Sequence, residues 1–208
     1  MSIKSIAPIA RKILPAFVFK YLRTIGTAIL TPFLTSYRTG HCISSLKNKA
    51  LDKHNNPIPW YTYPTIEFLS NKDFKDKRIL EWGAGQSTLW WAQRAKEVLS
   101  FESNHSWYNH IKKHLPHNCS LFFTTDEIKD TNKDLGNKLK FDLIIIDGLN
   151  RYKCAVQSIE LLSNNGAIIL DNSDVGWGQT ESDFPIIKLF QKNQFNRIDF
   201  YGNAPGVI

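Results

Sequence analysis

Residues Ile79-Leu80-Glu81-Trp82-Gly83-Ala84-Gly85-Gln86-Ser87-Thr88 pass from an apolar run ending in an acid, through two glycines, into a stretch suited to a helix. Glycines let the backbone turn tightly and let a ligand approach the main chain without meeting a Cβ. A carboxylate beside such a turn suits a cationic amino-acid ligand better than a phosphate. The dinucleotide pattern GxGxxG would also require a glycine at position 88, where Thr88 stands. Glu102 closes the next apolar run, 21 residues after Glu81, near the roughly 20-residue offset at which an acid meets a ribose diol in such folds. Its two oxygens can accept from both hydroxyls at once. Glu81, Gly83, Gly85, Ser87, Thr88, Glu102 and Ser103 are therefore the candidate cofactor-binding residues.

A second group lies further along. Phe141 to Gly148 and Gly166 to Asn172 place Asp147 and the Asp171-Asn172 pair at the ends of two more apolar runs. Three oxygen-bearing side chains converging at one sheet edge could hold Mg²⁺, which prefers oxygen ligands. They could equally orient a substrate or cap helices. For a proton acceptor, His41 in Thr39-Gly40-His41-Cys42 is the first candidate, because imidazole titrates near neutrality, and Asp147 is the second. Arg151 and Trp177 could contact an acidic or sugar-like acceptor through guanidinium pairing and indole stacking.

These residues need elements to hold them. The pattern predicts strands over 78–82, 98–102, 120–123, 141–147, 167–171 and 195–200. Helices are predicted over 87–94, 106–114, 151–162 and 184–192. Short β-type runs alternating with helical stretches signal a parallel α/β sheet. The unbroken branched run Leu143-Ile144-Ile145-Ile146 fits a strand covered on both faces. Residues 126–140 read as a polar loop.

The chain has 208 residues with a net charge of +7, yet residues 1–51 contain eight Lys or Arg and no acid, so the remainder is nearly neutral. That asymmetry argues for a local cause and against nucleic-acid binding. Three cysteines, Cys42, Cys119 and Cys154, without CxxC or Cys/His spacing, fit a reducing compartment, the cytoplasm, and no zinc site. The first 58 residues form a basic, apolar segment ahead of a catalytic domain over 59–208. Between Ile9 and Leu34 the apolar sequence is interrupted by cations, Pro15, Gly26 and Pro32, and the longest uncharged run, 24–37, is too short to span a bilayer. One reading is an interfacial helix meeting a membrane surface through residues 1–36, peripheral to the inner face. The favoured one is a cap over the core, because Phe17, Phe19, Tyr21 and Leu22 spread widely around a helical wheel.

Glu81-Trp82-Gly83-Ala84-Gly85-Gln86-Ser87 resembles the first motif of class I S-adenosylmethionine-dependent methyltransferases, with Ser87 in place of the frequent last glycine, and Glu102 matches that family's ribose-binding acid. The resemblance runs from about Pro59 to Gly202 and looks closest to small bacterial members carrying a segment like Pro59-Trp60-Tyr61-Thr62-Tyr63-Pro64. It implies a Rossmann-like, doubly wound, mostly parallel sheet with helices on both faces, binding S-adenosylmethionine. Gly83 and Gly85 would line the methionine end, Glu81 would lie near its amino group, and Asp126 or Glu127 would approach the adenine. Asp147, Asp171 and Asn172 resemble the metal ligands of catechol-type O-methyltransferases. Those enzymes commonly carry a lysine three residues after the first aspartate; here Asn150 stands there, with Lys153 the nearest cation. The resemblance therefore favours a substrate-orienting or capping role over Mg²⁺.

The resulting expectation is methyl transfer to an oxygen or nitrogen of a small-molecule, sugar or lipid-linked acceptor. The alternatives are a methyltransferase-like binding module without turnover and an NAD(P)-dependent oxidoreductase. Class I members usually finish with an antiparallel strand pair. Only eight residues follow Phe200, so that final strand is expected to be missing or very short, in a truncated or degenerate chain.

Overall fold

The computed structural model describes residues 11–125, 139–173 and 185–207. Its centre is a five-stranded, all-parallel sheet of β1 (Arg78–Trp82), β2 (Glu97–Glu102), β3 (Cys119–Phe123), β4 (Phe141–Ile146) and β5 (Leu162–Leu170), in the order β3-β2-β1-β4-β5. The chain moves outward from β1 to β3, then returns to the other side of β1 for β4 and β5. That reversal opens a crevice beyond the carboxyl ends of β1 and β4, where ligands of open α/β sheets bind.

The helices are α1 (Ala16–Thr39), α2 (His41–Lys47), α3 (Tyr63–Ser70), α4 (Gln86–Ala92), α5 (His105–Lys112), α6 (Arg151–Leu161) and α7 (Pro185–Lys192). Successive strand side chains point to opposite faces, so the sheet builds two cores. Ile79, Val98, Leu143 and Ile145 pack with Trp90, Trp91, Tyr61 and Leu69 on one face. Leu80, Trp82, Ile144 and Ile146 pack with Cys154, Ala155 and Ile186 on the other. Trp82 is fully buried and its indole N–H donates to Ser158 Oγ at 3.0 Å, fastening β1 to α6. Burying an indole of this size is worth about 4 kcal/mol.

Three expectations change. Residues 195–200 form no strand: Ile198 and its polar neighbours are exposed, with no sheet face to alternate against. The segment instead runs to α3, where Phe200 packs on Phe68 at 5.0 Å and its carbonyl accepts from Thr62 Oγ1. The next change is in β5, which begins at Leu162 rather than Ala167. An irregularity opposite Phe141 and Leu143 absorbs the added residues, and a Cβ at Gly166 would lie 2.7 Å from Leu162 Cδ1.

The N-terminal segment differs most. Gly26 and Pro32 do not interrupt it; α1 continues for 24 residues with Pro32 inside. At 3.6 residues per turn its residues separate into two sides. Lys20, Arg23, Thr24, Thr27, Thr31 and Arg38 fall within an arc of about 120° that also holds Leu34, opposite Val18, Leu22, Ile25, Ile29 and Phe33, with Ser36 among them. The wide spread of Phe17 to Leu22 is the apolar half of this wheel seen over too few turns. None of the residues of α1 is buried, so no side chain of this helix enters the core.

Candidate functional site

The ends of the inner strands stand at one level. Gly83 N–H donates to Phe101 O (2.8 Å), Asp147 N–H to Trp82 O (2.9 Å) and Asp171 N–H to Ile146 O (3.2 Å), extending the ladders just past β1, β4 and β5. Gly83 then turns with φ +99°, and a Cβ there would meet Gly148 N at 2.9 Å. Its glycine is required by the protein, since two loops pack there backbone to backbone. Gly85 is different. Its backbone is extended, and a Cβ there would meet only Ser87 Oγ, at 3.8 Å. The protein leaves room on that side, as a ligand cradle does.

Glu81 points to the same face as Ile79 and is fully buried. Ser100 Oγ donates to its Oε2 at 2.8 Å, while Oε1 has no hydrogen-bond partner among the described residues. Burial pushes the carboxyl up to about 7, against the pull of the nearby Thr88, Ser100 and Ser87 hydroxyls, of which only Ser100 stands in hydrogen-bond geometry. Thr88 is itself buried and accepts the Gly85 N–H at 3.0 Å, so its first task is to hold the turn. Beside Glu81 stands Tyr61, whose hydroxyl accepts from Trp91 Nε1 at 3.4 Å. Its phenol pKa is raised by burial and then by the Glu81 charge.

Glu102, at the end of β2, accepts Ala84 N–H on Oε2 (3.1 Å) and Asn104 N–H on Oε1 (2.7 Å). Each carboxylate oxygen has about two acceptor sites, so one remains on each for a ligand diol. Ser103 lies half-buried between Glu102 and Asn104. Asn104 caps α5 by accepting Trp107 N–H at 3.0 Å, and the Trp107 indole donates to Ala84 O at 2.7 Å. Asn104, Trp107, Ser100 and Tyr61 thus shape the turn; Tyr61 belongs to the segment Pro59 to Pro64, while no local motif marks the other three in the sequence. Asp126, Glu127 and Trp177 lie outside the described residues.

On the β4 side, Asp147 sits across from Gly83 and keeps 38% of its side chain open, yet the surrounding protein and then Asp171 push it up to about 7. Arg151 opposes that rise. Its Nη2 contacts Asp147 Oδ1 at 2.9 Å, its Nε donates to Gly148 O at 3.2 Å, and its Nη1 donates to the Asp171 carbonyl. The guanidinium therefore anchors the strand ends and supplies the positive charge that a metal between Asp147 and Asp171 would supply. No cluster of three His, Cys, Asp or Glu suited to a metal occurs among the described residues. Asn172 follows with a left-handed φ of +50°.

His41 begins α2 away from this row. Its Nδ1 accepts Gly206 N–H at 3.3 Å and lies 3.4 Å from the Tyr63 hydroxyl. The structure thus gathers Glu81, Gly83, Gly85, Thr88, Glu102 and Asp147 along one crevice, and places His41 where the C-terminal segment meets α2 and α3.

No family model matches the sequence, and no curated protein does. Among solved structures, the precorrin-8w decarboxylase of Methanobacterium thermoautotrophicum is similar at TM-score 0.50, with 16% identity over 72% of this chain and 80% of that one. A Klebsiella pneumoniae protein assigned to the O-methyltransferases gives TM-score 0.45 and 22% identity over 57% of this chain, which spans 60% of that protein's length. TYW2 of M. jannaschii, solved in complex with AdoMet, gives 0.45 and 18% identity, covering 72% of this chain and 70% of that one. The chain has the class I methyltransferase fold. In folds of this kind ligands bind beyond the carboxyl ends of the inner strands, here β1 and β4.

Proposed function

We propose that the chain binds S-adenosylmethionine and transfers its methyl group to an oxygen or nitrogen of a small-molecule, sugar or lipid-linked acceptor. The observation that carries this reading is the buried, unpartnered Oε1 of Glu81 beside a glycine turn. A carboxylate there without a donor is costly, and an ammonium group would satisfy it. Glu102 offers its remaining acceptor sites to a ribose diol, and the open side of Gly85 lets the methionine end approach the main chain.

The donor supplies an electrophilic methyl group on a sulfonium. What remains for the protein is chiefly positioning, because in-line displacement is governed by how the two partners are held. Asp147, with its carboxyl near 7, accepts the acceptor's proton at neutral pH, and Arg151 holds it facing the crevice. Its place in the crevice puts Asp147 ahead of His41 for this role. No step requires Mg²⁺.

Calorimetry with S-adenosylmethionine, S-adenosylhomocysteine and NAD tests the binding. Both sulfur compounds should bind, Glu81→Gln should weaken both at least tenfold, and NAD should give no heat. Absence of binding by either sulfur compound at millimolar concentration would overturn the reading. A labelled-methyl screen over glycans, lipids and small hydroxylated acceptors then tests turnover. Binding without transfer to any of them reduces the protein to a methyltransferase-like binding module.

A further inference from the structure

The helix α1 carries an apolar side that none of the described residues buries. Ile25 is 56% exposed and Phe33 72%, with Leu22 and Ile29 on the same side. Soluble surfaces rarely leave so continuous an apolar strip open without a partner. The opposite side carries Lys20, Arg23 and Arg38, which make no ion pair among the described residues. Arg11 and Lys12 stand just before the helix, and no acid occurs before Asp52. The helix is not long and apolar enough to cross a membrane. At about 1.5 Å per residue it is roughly 36 Å long, enough for an extended in-plane contact.

The base of this helix is fixed. Gly40, with φ +80°, turns the chain so closely over residues 51–53 that a Cβ would lie 2.4 Å from Asp52 C. Ser44 of α2 accepts Leu51 N–H at 3.0 Å and donates to Leu51 O at 2.8 Å. The strip is therefore held at a defined place on the body.

We infer that α1 is a docking helix for an anionic lipid surface, lying in the membrane plane with its Ile25–Phe33 side among the acyl chains and Lys20, Arg23 and Arg38 reaching the headgroups. Charge decides the occupant. An interfacial helix combines an apolar side with a cationic polar side that draws it to acidic lipid. Two copies packed through the same side would leave these cations on the outer faces with no acid in either segment to pair with, whereas an acidic lipid surface covers the strip and pairs the cations at once. The inference is independent of methyl transfer, because none of these residues borders the crevice.

Flotation of the full chain with vesicles of phosphatidylcholine, with and without phosphatidylserine, tests it. The chain should float with the acidic vesicles and stay behind with the neutral ones. Lys20→Glu/Arg23→Glu/Arg38→Glu should lower partition about a hundredfold or more, at roughly fivefold per cation. Ile25→Asp/Phe33→Asp should abolish it. All five positions are exposed, so both variants should fold, which unchanged circular dichroism would verify. A chain that stays behind with both vesicle types overturns the inference, as does equal flotation with neutral vesicles. A concentration-dependent dimer lost in Ile25→Asp/Phe33→Asp, without flotation, overturns it in favour of self-association.

Discussion

The two sides of the crevice hold their carboxylates in opposite ways. On the β1–β2 side, Glu102 is fixed by two main-chain N–H groups and Glu81 is buried with one oxygen unpaired. On the β4–β5 side, Asp147 meets a cation from the protein itself, Arg151, which also binds two strand-end carbonyls. The first side leaves a buried carboxylate oxygen without a hydrogen bond among the described residues. The second has a cation of its own beside Asp147, although burial and Asp171 still raise that carboxyl to about 7.

The joint between the sides is the place to break this contrast most severely. Trp82→Ala removes a fully buried indole and its bond to Ser158. It should cost about 3–5 kcal/mol of stability, measured by urea unfolding. A loss below 1 kcal/mol would mean that β1 and α6 are not coupled as described.

Glu81→Gln addresses the buried carboxylate alone. Because the folded carboxyl is raised from the ordinary 4.5 to about 7, the folded state binds more protons than the unfolded state between those values. The protein should therefore lose stability as pH rises through that window, by roughly 3 kcal/mol. The variant should show a flatter profile, be the more stable protein above pH 7, and bind S-adenosylmethionine worse. Donor affinity in the unsubstituted chain should rise over the same pH range, as Glu81 ionises to meet the ammonium. Parallel pH profiles for the two proteins would show that Glu81 does not titrate in this window.

This contrast was only half legible in the sequence. Strand, GxG, helix and terminal acid in register marked Glu81, Gly83, Gly85 and Glu102 as candidates, because a tight turn restricts residue type locally. Which glycine serves the protein and which leaves room for a ligand depends on Gly148, 65 residues from Gly83, and no local pattern shows it. Arg151 read as a substrate contact because its partners come from two strand ends. The length of α1 was hidden by Gly26 and Pro32, whose local cost does not decide a helix of 24 residues. Residues 195–200 had strand composition but pair with no strand among the described residues, running to α3 instead.

Arg151→Gln acts on the other side. Removing the cation that lowers the Asp147 pKa should move it above 7, so the acidic limb of the rate profile shifts upward and the rate at neutral pH falls severalfold. Donor affinity should stay nearly constant. Loss of donor binding instead would show that the two sides are not separable.

The smallest effect is expected at His41, and it decides between the two proton acceptors. Its imidazole accepts the Gly206 N–H and neighbours the Tyr63 hydroxyl, bonds worth about 0.5–1.5 kcal/mol each. If it only ties the C-terminal segment to α2 and α3, His41→Ala should lower the thermal midpoint by a few degrees and leave kcat unchanged. A general base contributes about 10²–10⁴-fold, so the two roles differ by orders of magnitude in the same assay. Asp147→Asn should show that loss in kcat with little change in KM for the donor. A large fall in kcat for His41→Ala, with its thermal midpoint unmoved, would transfer the role to His41 and require the C-terminal segment to open toward the crevice during turnover.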